Sequence, residues 1–79
     1  PFNPSTIIEF NVKETDFISL DIFDIHGRKI VNLISGPTMS NKLIWHGKNN
    51  LDQMVPAGIY FARLETKSTI MTKKMILLK

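Results

Sequence analysis

The sequence has no cysteine and no long apolar run. Absence of cysteine from the 79 residues excludes a disulfide framework and a zinc site with Cys ligands. The apolar run Met75–Leu78 is among the longest in the chain, whereas a membrane-spanning helix needs about 20 such residues. The opening PFNPST has neither the charged start nor the apolar centre of a signal peptide. We therefore predict no transmembrane segment.

Charge of either sign is not concentrated anywhere. The net charge is +3, and the only adjacent basic pairs are Arg28-Lys29 and Lys73-Lys74. Nucleic-acid-binding domains gather positive charge on one face and interleave aromatic side chains for stacking. The scattered lysines favour a generic solvated surface, and we expect no nucleic-acid partner.

Side chains that carry chemistry are scarce. The two histidines, His26 and His46, lie in turn-like stretches, and a Cys-His pair is excluded. A Ser-His-Asp triad has no nucleophile elbow around it, and the carboxylates are scattered. We predict a domain that is not an enzyme and that uses no cofactor and no metal.

The stretch HGKNNLD leaves one alternative open. Its oxygen-bearing side chains Asn49, Asn50 and Asp52 could bind calcium. However, Asp52 is the only acid there and Lys48 stands among the candidate ligands. Because Asn and Asp side chains hydrogen-bond the backbone of turns, an Asx-rich turn is the favoured interpretation.

Alternating hydrophobicity runs through the chain and predicts strands. Ile8, Phe10 and Val12 share one face, and the next strand repeats the pattern with Ile18, Leu20 and Ile22. Asp24 and Gly27 bracket a tight hairpin in which glycine takes a positive φ. Ile30 and Leu33 differ in parity, which indicates a β-bulge or an early end to that strand. Most of the phenylalanines lie inside strand patterns and are predicted to be core, with Phe2 and Phe17 as the exceptions.

These patterns predict one all-β domain over residues 1–79, an immunoglobulin-like β-sandwich of about six to seven short antiparallel strands. Trp45 ends an alternating strand beside Leu43 and is expected to pack in or against the core. The residues expected to act structurally are Phe10, Leu20, Gly27, Trp45 and Gly47.

The order of five pieces resembles a known family. The pieces are PFNPST, IFDIHGRKI, WHG, VPAGIYF and KKMILLK, and together they resemble the C-terminal sorting domain of the type IX secretion system of Bacteroidetes and related phyla. The Ig-like domain of the flagellar hook-capping protein is a cousin that shares the Trp-x-Gly and Gly-x-Tyr pieces. The chain departs from the family at His46, where an acid is usual, and at Asp52, where a glycine is usual and a different backbone is therefore expected.

The resemblance implies a signal that directs a larger protein through the periplasm and across the outer membrane, to the cell surface or the medium. Its implied partners are the type IX translocon, a sortase-like surface peptidase, and a catalytic or adhesive parent domain N-terminal to it. In the family that peptidase often, but not always, removes the domain and links the parent to a surface anchor. Since the chain does not begin with Met, we expect it to come from the C-terminus of that larger secreted protein. The residues expected to carry recognition are Pro56, Gly58, Tyr60, Lys74, Met75, Leu78 and Lys79.

The last predicted strand is apolar on both faces. Met71, Met75 and Leu77 share one face, whereas Ile70, Ile76 and Leu78 share the other. A sandwich strand needs only one apolar face for its core, so the second face is available to a partner, by strand addition or by docking. Two alternatives stay open: a structural Ig-like spacer, and a carbohydrate-binding module, which an exposed aromatic strip would favour. Gly58 and Tyr60 could equally have a purely structural role, with the Tyr60 hydroxyl tied to the backbone.

Overall fold

A computed structural model of the chain describes residues 5–10, 17–37, 42–67 and 69–78. The described residues form six strands and no helix. The strands are β1 (Thr6–Glu9), β2 (Phe17–Phe23), β3 (Lys29–Pro37), β4 (Lys42–Trp45), β5 (Gly58–Glu65) and β6 (Ile70–Leu77).

The strands pair into two antiparallel sheets. The smaller sheet joins β1 to β4, and the larger has the order β3-β2-β5-β6. This arrangement confirms the all-β prediction and is consistent with an immunoglobulin-like sandwich. Within the described part of the chain, β6 pairs with β5 alone and is therefore an edge strand of the larger sheet.

The core lies between the two sheets, on the faces that the alternation predicts. Ile18, Leu20 and Ile22 of β2 are at most 1% exposed. The other buried apolar residues are Ile8, Val31, Trp45, Val55, Tyr60, Ala62, Leu64, Met75 and Leu77. Phe10 packs partly buried against this cluster. Val12, which the alternation places on the same face, lies outside the described residues, as does Phe2.

Two β-bulges explain the irregular pattern of β3. Leu20 pairs with Ile34 but Asp21 pairs with Asn32, so Leu33 is an extra residue. A second register shift between Ile22 and Phe23 leaves Ile30 extra. Each extra residue reverses the parity of the strand residues beyond it, and the bulge expected from the sequence is thereby confirmed.

The hairpin between β2 and β3 is closed by Asp24 and Gly27. The Gly27 N–H donates to the Asp24 carbonyl at 3.1 Å, and Gly27 has a φ of 81°. The Asp24 carboxylate accepts from the backbone N–H groups of His26 and Arg28 at 2.8 and 2.9 Å. The carboxylate thus organises the turn that the sequence predicts there.

The phenylalanines are placed differently from the prediction. Phe23 and Phe61 are paired across β2 and β5 on the outer face of the larger sheet and are half-buried, not core. The core prediction was wrong there because it was based on residue type; the alternation itself places Phe23 in one row with Asp21, and Phe61 in one row with Arg63. Met71 was expected on the buried face and is instead 45% exposed, beside a cleft of about 280 Å³ between β1 and β6.

Candidate recognition surface

Pairing of β5 with β6 brings the two halves of the predicted recognition set together. Gly58 lies opposite Leu77, Tyr60 opposite Met75, and Phe61 opposite Lys74. The PAGIYF and KKMILL stretches are therefore neighbours along one end of the larger sheet. β5 and β6 follow each other directly in the chain, and the short connection between them already favours this pairing.

The Tyr60 side chain points into the core, where both its ring and its hydroxyl make contacts. It is 6% exposed, and its ring meets Trp45 edge to face with centroids 5.1 Å apart. Its hydroxyl donates a 2.6 Å hydrogen bond to the Pro56 carbonyl. Burial, followed by the Asp24 charge, raises the Tyr60 pKa above its usual 10.0. This geometry agrees with the structural role considered for Tyr60, in which its hydroxyl is hydrogen-bonded to the backbone.

The segment before Tyr60 depends on an unusual backbone. Gly58 has a φ of 151°, a region that side chains other than glycine rarely adopt. Pro56 is exposed and supplies the carbonyl that the Tyr60 hydroxyl needs. Pro56, Gly58 and Tyr60 thus act together to set the start of β5.

Trp45 and Gly47 anchor the loop that leads to this segment. Trp45 is 2% exposed, and its indole N–H donates to the Lys48 carbonyl at 3.0 Å. The Gly47 carbonyl accepts from the Val55 N–H at 2.9 Å. The loop between Trp45 and β5 is thereby closed on itself at its base.

Inside that loop Asn49 forms an Asx turn. Its side-chain oxygen accepts from the N–H groups of Leu51 and Gln53 at 2.9 and 3.0 Å. Asp52 pairs with Lys48 at 3.6 Å and has a φ of 63°. A glycine would adopt that φ without strain, so Asp52 occupies a conformation that is more typical of glycine. Among the residues that the structure describes, no cluster of three acidic or His side chains could hold a metal.

The end of β6 exposes one apolar row and buries the other. Met75 and Leu77 are 6% and 0% exposed, whereas Ile76 and Leu78 are 59% and 68% exposed. This difference agrees with the second apolar face expected from the sequence. We call Ile59, Ile76 and Leu78 the outer patch; Ile59 is 42% exposed and lies directly opposite Ile76.

Sequence reasoning missed Ile59. A signal was present, because Tyr60 is expected to point inward and its neighbour in a strand must then point outward. Of the predicted recognition residues, Tyr60 and Met75 are internal, Lys74 and Leu78 are exposed, and Lys79 lies outside the described residues.

Two lysines mark the middle of the edge strand. Lys74 lies on the outer face opposite Phe61, and Lys73 lies opposite Ala62 on the inner side of β6, yet both are exposed. Neither forms an ion pair with another residue in the described ranges. Lysines on an edge strand discourage the addition of a strand from another molecule. The end of β6 from Met75 onward contains no lysine and lacks this protection.

Polar contacts cover the middle of the outer face. Asp21, 5% exposed, accepts from Asn32 at 2.7 Å and from Ser19 at 3.2 Å. The Arg63 guanidinium stacks over Phe23 at 5.5 Å. Phe17 is exposed but stands apart at the other end of β2. These aromatic side chains do not form the exposed strip that sugar binding would favour.

Acid–base groups do not converge on the patch. His26 and His46 are both exposed. The Asp24 pKa is held below its usual value, chiefly by the Arg28 backbone N–H, and its carboxylate also pairs with the Arg28 side chain at 2.9 Å. No helix in the described ranges is long and apolar enough to cross a membrane.

Comparison with known proteins returns one family. The profile described as "Secretion system C-terminal sorting domain" matches residues 1–78. No curated protein sequence and no solved structure matches the chain. The matched range includes both the Pro56–Tyr60 segment and the exposed end of β6.

Proposed function

The chain belongs to the family of secretion system C-terminal sorting domains, signals for type IX secretion to the cell surface or the extracellular space, and from this we propose how it works. The domain is a sorting signal and has no catalytic activity of its own. It follows a catalytic or adhesive parent, crosses the periplasm with it, and is read by the type IX translocon. A sortase-like surface peptidase then removes it.

One observation supports this proposal most directly. The family match covers residues 1–78, and within that range the two predicted recognition segments are hydrogen-bonded neighbours, Gly58–Phe61 beside Lys74–Leu77. A partner can contact residues from two segments as one surface only if the fold places these segments side by side. Folding of the domain is therefore part of the signal.

Export of a reporter tests the proposal. A soluble reporter is fused to the N-terminus of residues 1–79 and expressed in a host with a type IX system. It is compared with a fusion lacking Leu78 and Lys79, and with Lys74→Ala plus Leu78→Ala. We expect the intact fusion on the surface or in the medium and the altered fusions in the periplasm.

The choice of truncation matters because Leu77 is fully buried. Removing it would unfold the domain and imitate a lost signal, whereas Leu78 is 68% exposed and can be removed with the core intact. Each variant is checked for a wild-type melting transition. Equal export of the intact and truncated fusions would favour the structural spacer instead.

A further inference from the structure

Resting on the proposed function, we propose that the translocon component reading this domain contacts the outer patch of Ile59, Ile76 and Leu78 together with Lys74. The partner offers an apolar depression bordered by carboxylates. Pro56, Gly58 and Tyr60 act as positioning residues that present Ile59, and are not themselves contacted.

The exposure of each side chain shows which residues of the two segments a partner can contact. Tyr60, Met75 and Leu77 are at most 6% exposed, so a partner can reach them only by unfolding the domain. Ile59 and Ile76 are 42% and 59% exposed and face each other across β5 and β6. Leu78 is the first residue after β6 and is 68% exposed, so a partner that covers Ile76 can also reach it.

The tether at Tyr60 determines where Ile59 points. With the hydroxyl bound to the Pro56 carbonyl at 2.6 Å and the ring against Trp45, Tyr60 can only face the core. Ile59 must then face outward beside Ile76. Ile59 and Ile76 therefore leave aliphatic surface uncovered on the outer face, where a protein partner can bind it.

Charge defines the partner. Lys74 shares the outer face with Ile76 and Leu78 and has no ion pair among the described residues. The strand Ile70–Leu77 contains no acid. An unpaired lysine at the edge of an apolar patch is complemented by carboxylates on the partner.

The same lysine argues against two other occupants. A second copy docking by two-fold symmetry would present the same surface, and its β6 contains no acid that could pair with Lys74. An anionic membrane surface is recognised by about four to eight clustered basic residues, and β6 carries only Lys73 and Lys74.

The chain contains a matched control for the test. Ile70 and Ile76 lie on the same strand and the same face and are 57% and 59% exposed. Only Ile76 belongs to the outer patch. Export is therefore measured for three variants of the reporter fusion: Ile76→Thr, Ile59→Thr plus Ile76→Thr, and Ile70→Thr. Threonine retains the β-branched shape that strands favour.

We expect the double variant to lose export by roughly tenfold or more, the effect of removing about 1.4 kcal/mol of binding. Ile70→Thr is expected to export like the unaltered fusion, and all three to keep a folded melting transition. Export of the double variant at the unaltered level would overturn the proposal while leaving the proposed function intact. If even the unaltered fusion stays in the periplasm, the proposed sorting function is refuted, and so is the proposed binding of a translocon component to the outer patch.

A charge-reversal pair tests the acidic component. Lys74→Glu is expected to reduce export, whereas Lys67→Glu, at an exposed position in the β5–β6 turn, is expected to have no effect. Sedimentation velocity of the purified chain is expected to show a monomer. A dimer that Ile76→Thr dissociates would assign the patch to a second copy, and cosedimentation with phosphatidylglycerol vesicles that requires Ile76 would assign it to a membrane. Either result would overturn the proposal.

Discussion

Replacing Tyr60 by phenylalanine separates the structural role of this residue from a role in recognition. The change removes only the hydroxyl that donates to the Pro56 carbonyl at 2.6 Å and keeps the ring that packs on Trp45. A hydrogen bond of this kind contributes about 0.5–1.5 kcal/mol net. Because Pro56 is exposed, water can reach its freed carbonyl, and we expect a loss near 1 kcal/mol.

For a domain of this size, 1 kcal/mol corresponds to a fall in melting temperature of about 4–8 °C. The whole free energy of unfolding is on the order of 4–12 kcal/mol at 0.05–0.15 kcal/mol per residue. The variant therefore stays folded at growth temperature. Removing the ring as well, as in Tyr60→Ala, costs about 3–5 kcal/mol by analogy with other aromatic truncations, which unfolds much of the population if the whole free energy lies at the lower end of that range.

The assay combines thermal melting of the purified chain with export of the reporter fusion. We expect Tyr60→Phe to melt lower yet to be exported normally, because a buried hydroxyl at 6% residue exposure cannot be contacted from outside. An unchanged melting temperature would show that the bond to Pro56 contributes nothing. Lost export from a variant that is still folded would show that the hydroxyl itself is read, contrary to its positioning role.

Three further perturbations test the backbone and the turns. Gly58→Ala is expected to lower the free energy of unfolding by about 1–3 kcal/mol, since alanine must adopt the strained φ of 151°; urea titration measures it, and a neutral result would refute the strain. At Asp52, with a φ of 63°, Val should cost about 1–2 kcal/mol while Gly costs nothing, and equal melting temperatures for the two would contradict this. The Asp24 pKa lies below its usual 3.8 in the folded chain, chiefly because of the Arg28 N–H, so the stability it contributes is present above that value and is lost as pH falls through the folded pKa. Asp24→Asn should remove this acid-dependent loss in urea titrations from neutral pH to roughly pH 2, and an unchanged pH profile would exclude Asp24 as its source.

Much of the fold could be predicted because it depends on local pattern. Alternation placed Ile18, Leu20 and Ile22 on one buried face, and Asp24 with Gly27 marked a hairpin that the structure closes at those residues. The parity break between Ile30 and Leu33 likewise predicted a bulge. Each of these features is decided by covalent geometry and by residues a few positions apart.

The candidate site was predictable only in part. The sequence indicated that Ile76 and Leu78 oppose Met75 and Leu77, and their exposures differ accordingly. It did not indicate Ile59, and it placed Phe61 in the core, where the structure shows it half-buried on the outer face. For Phe61 the alternation was informative, because it places this residue in one row with Arg63 and Glu65; the core prediction followed the aromatic residue type instead.

The local pattern of the chain is enough for the all-β class, the principal turns and the family, and it indicates a last strand with more apolar surface than one core requires. It also favours the pairing of β5 with β6, since these strands follow each other directly in the chain. The position of β6 at a sheet edge depends on contacts between segments far apart in the chain, and no local pattern encodes their cooperative burial. The same packing covers Tyr60 and Met75 and leaves Ile59 exposed beside Ile76.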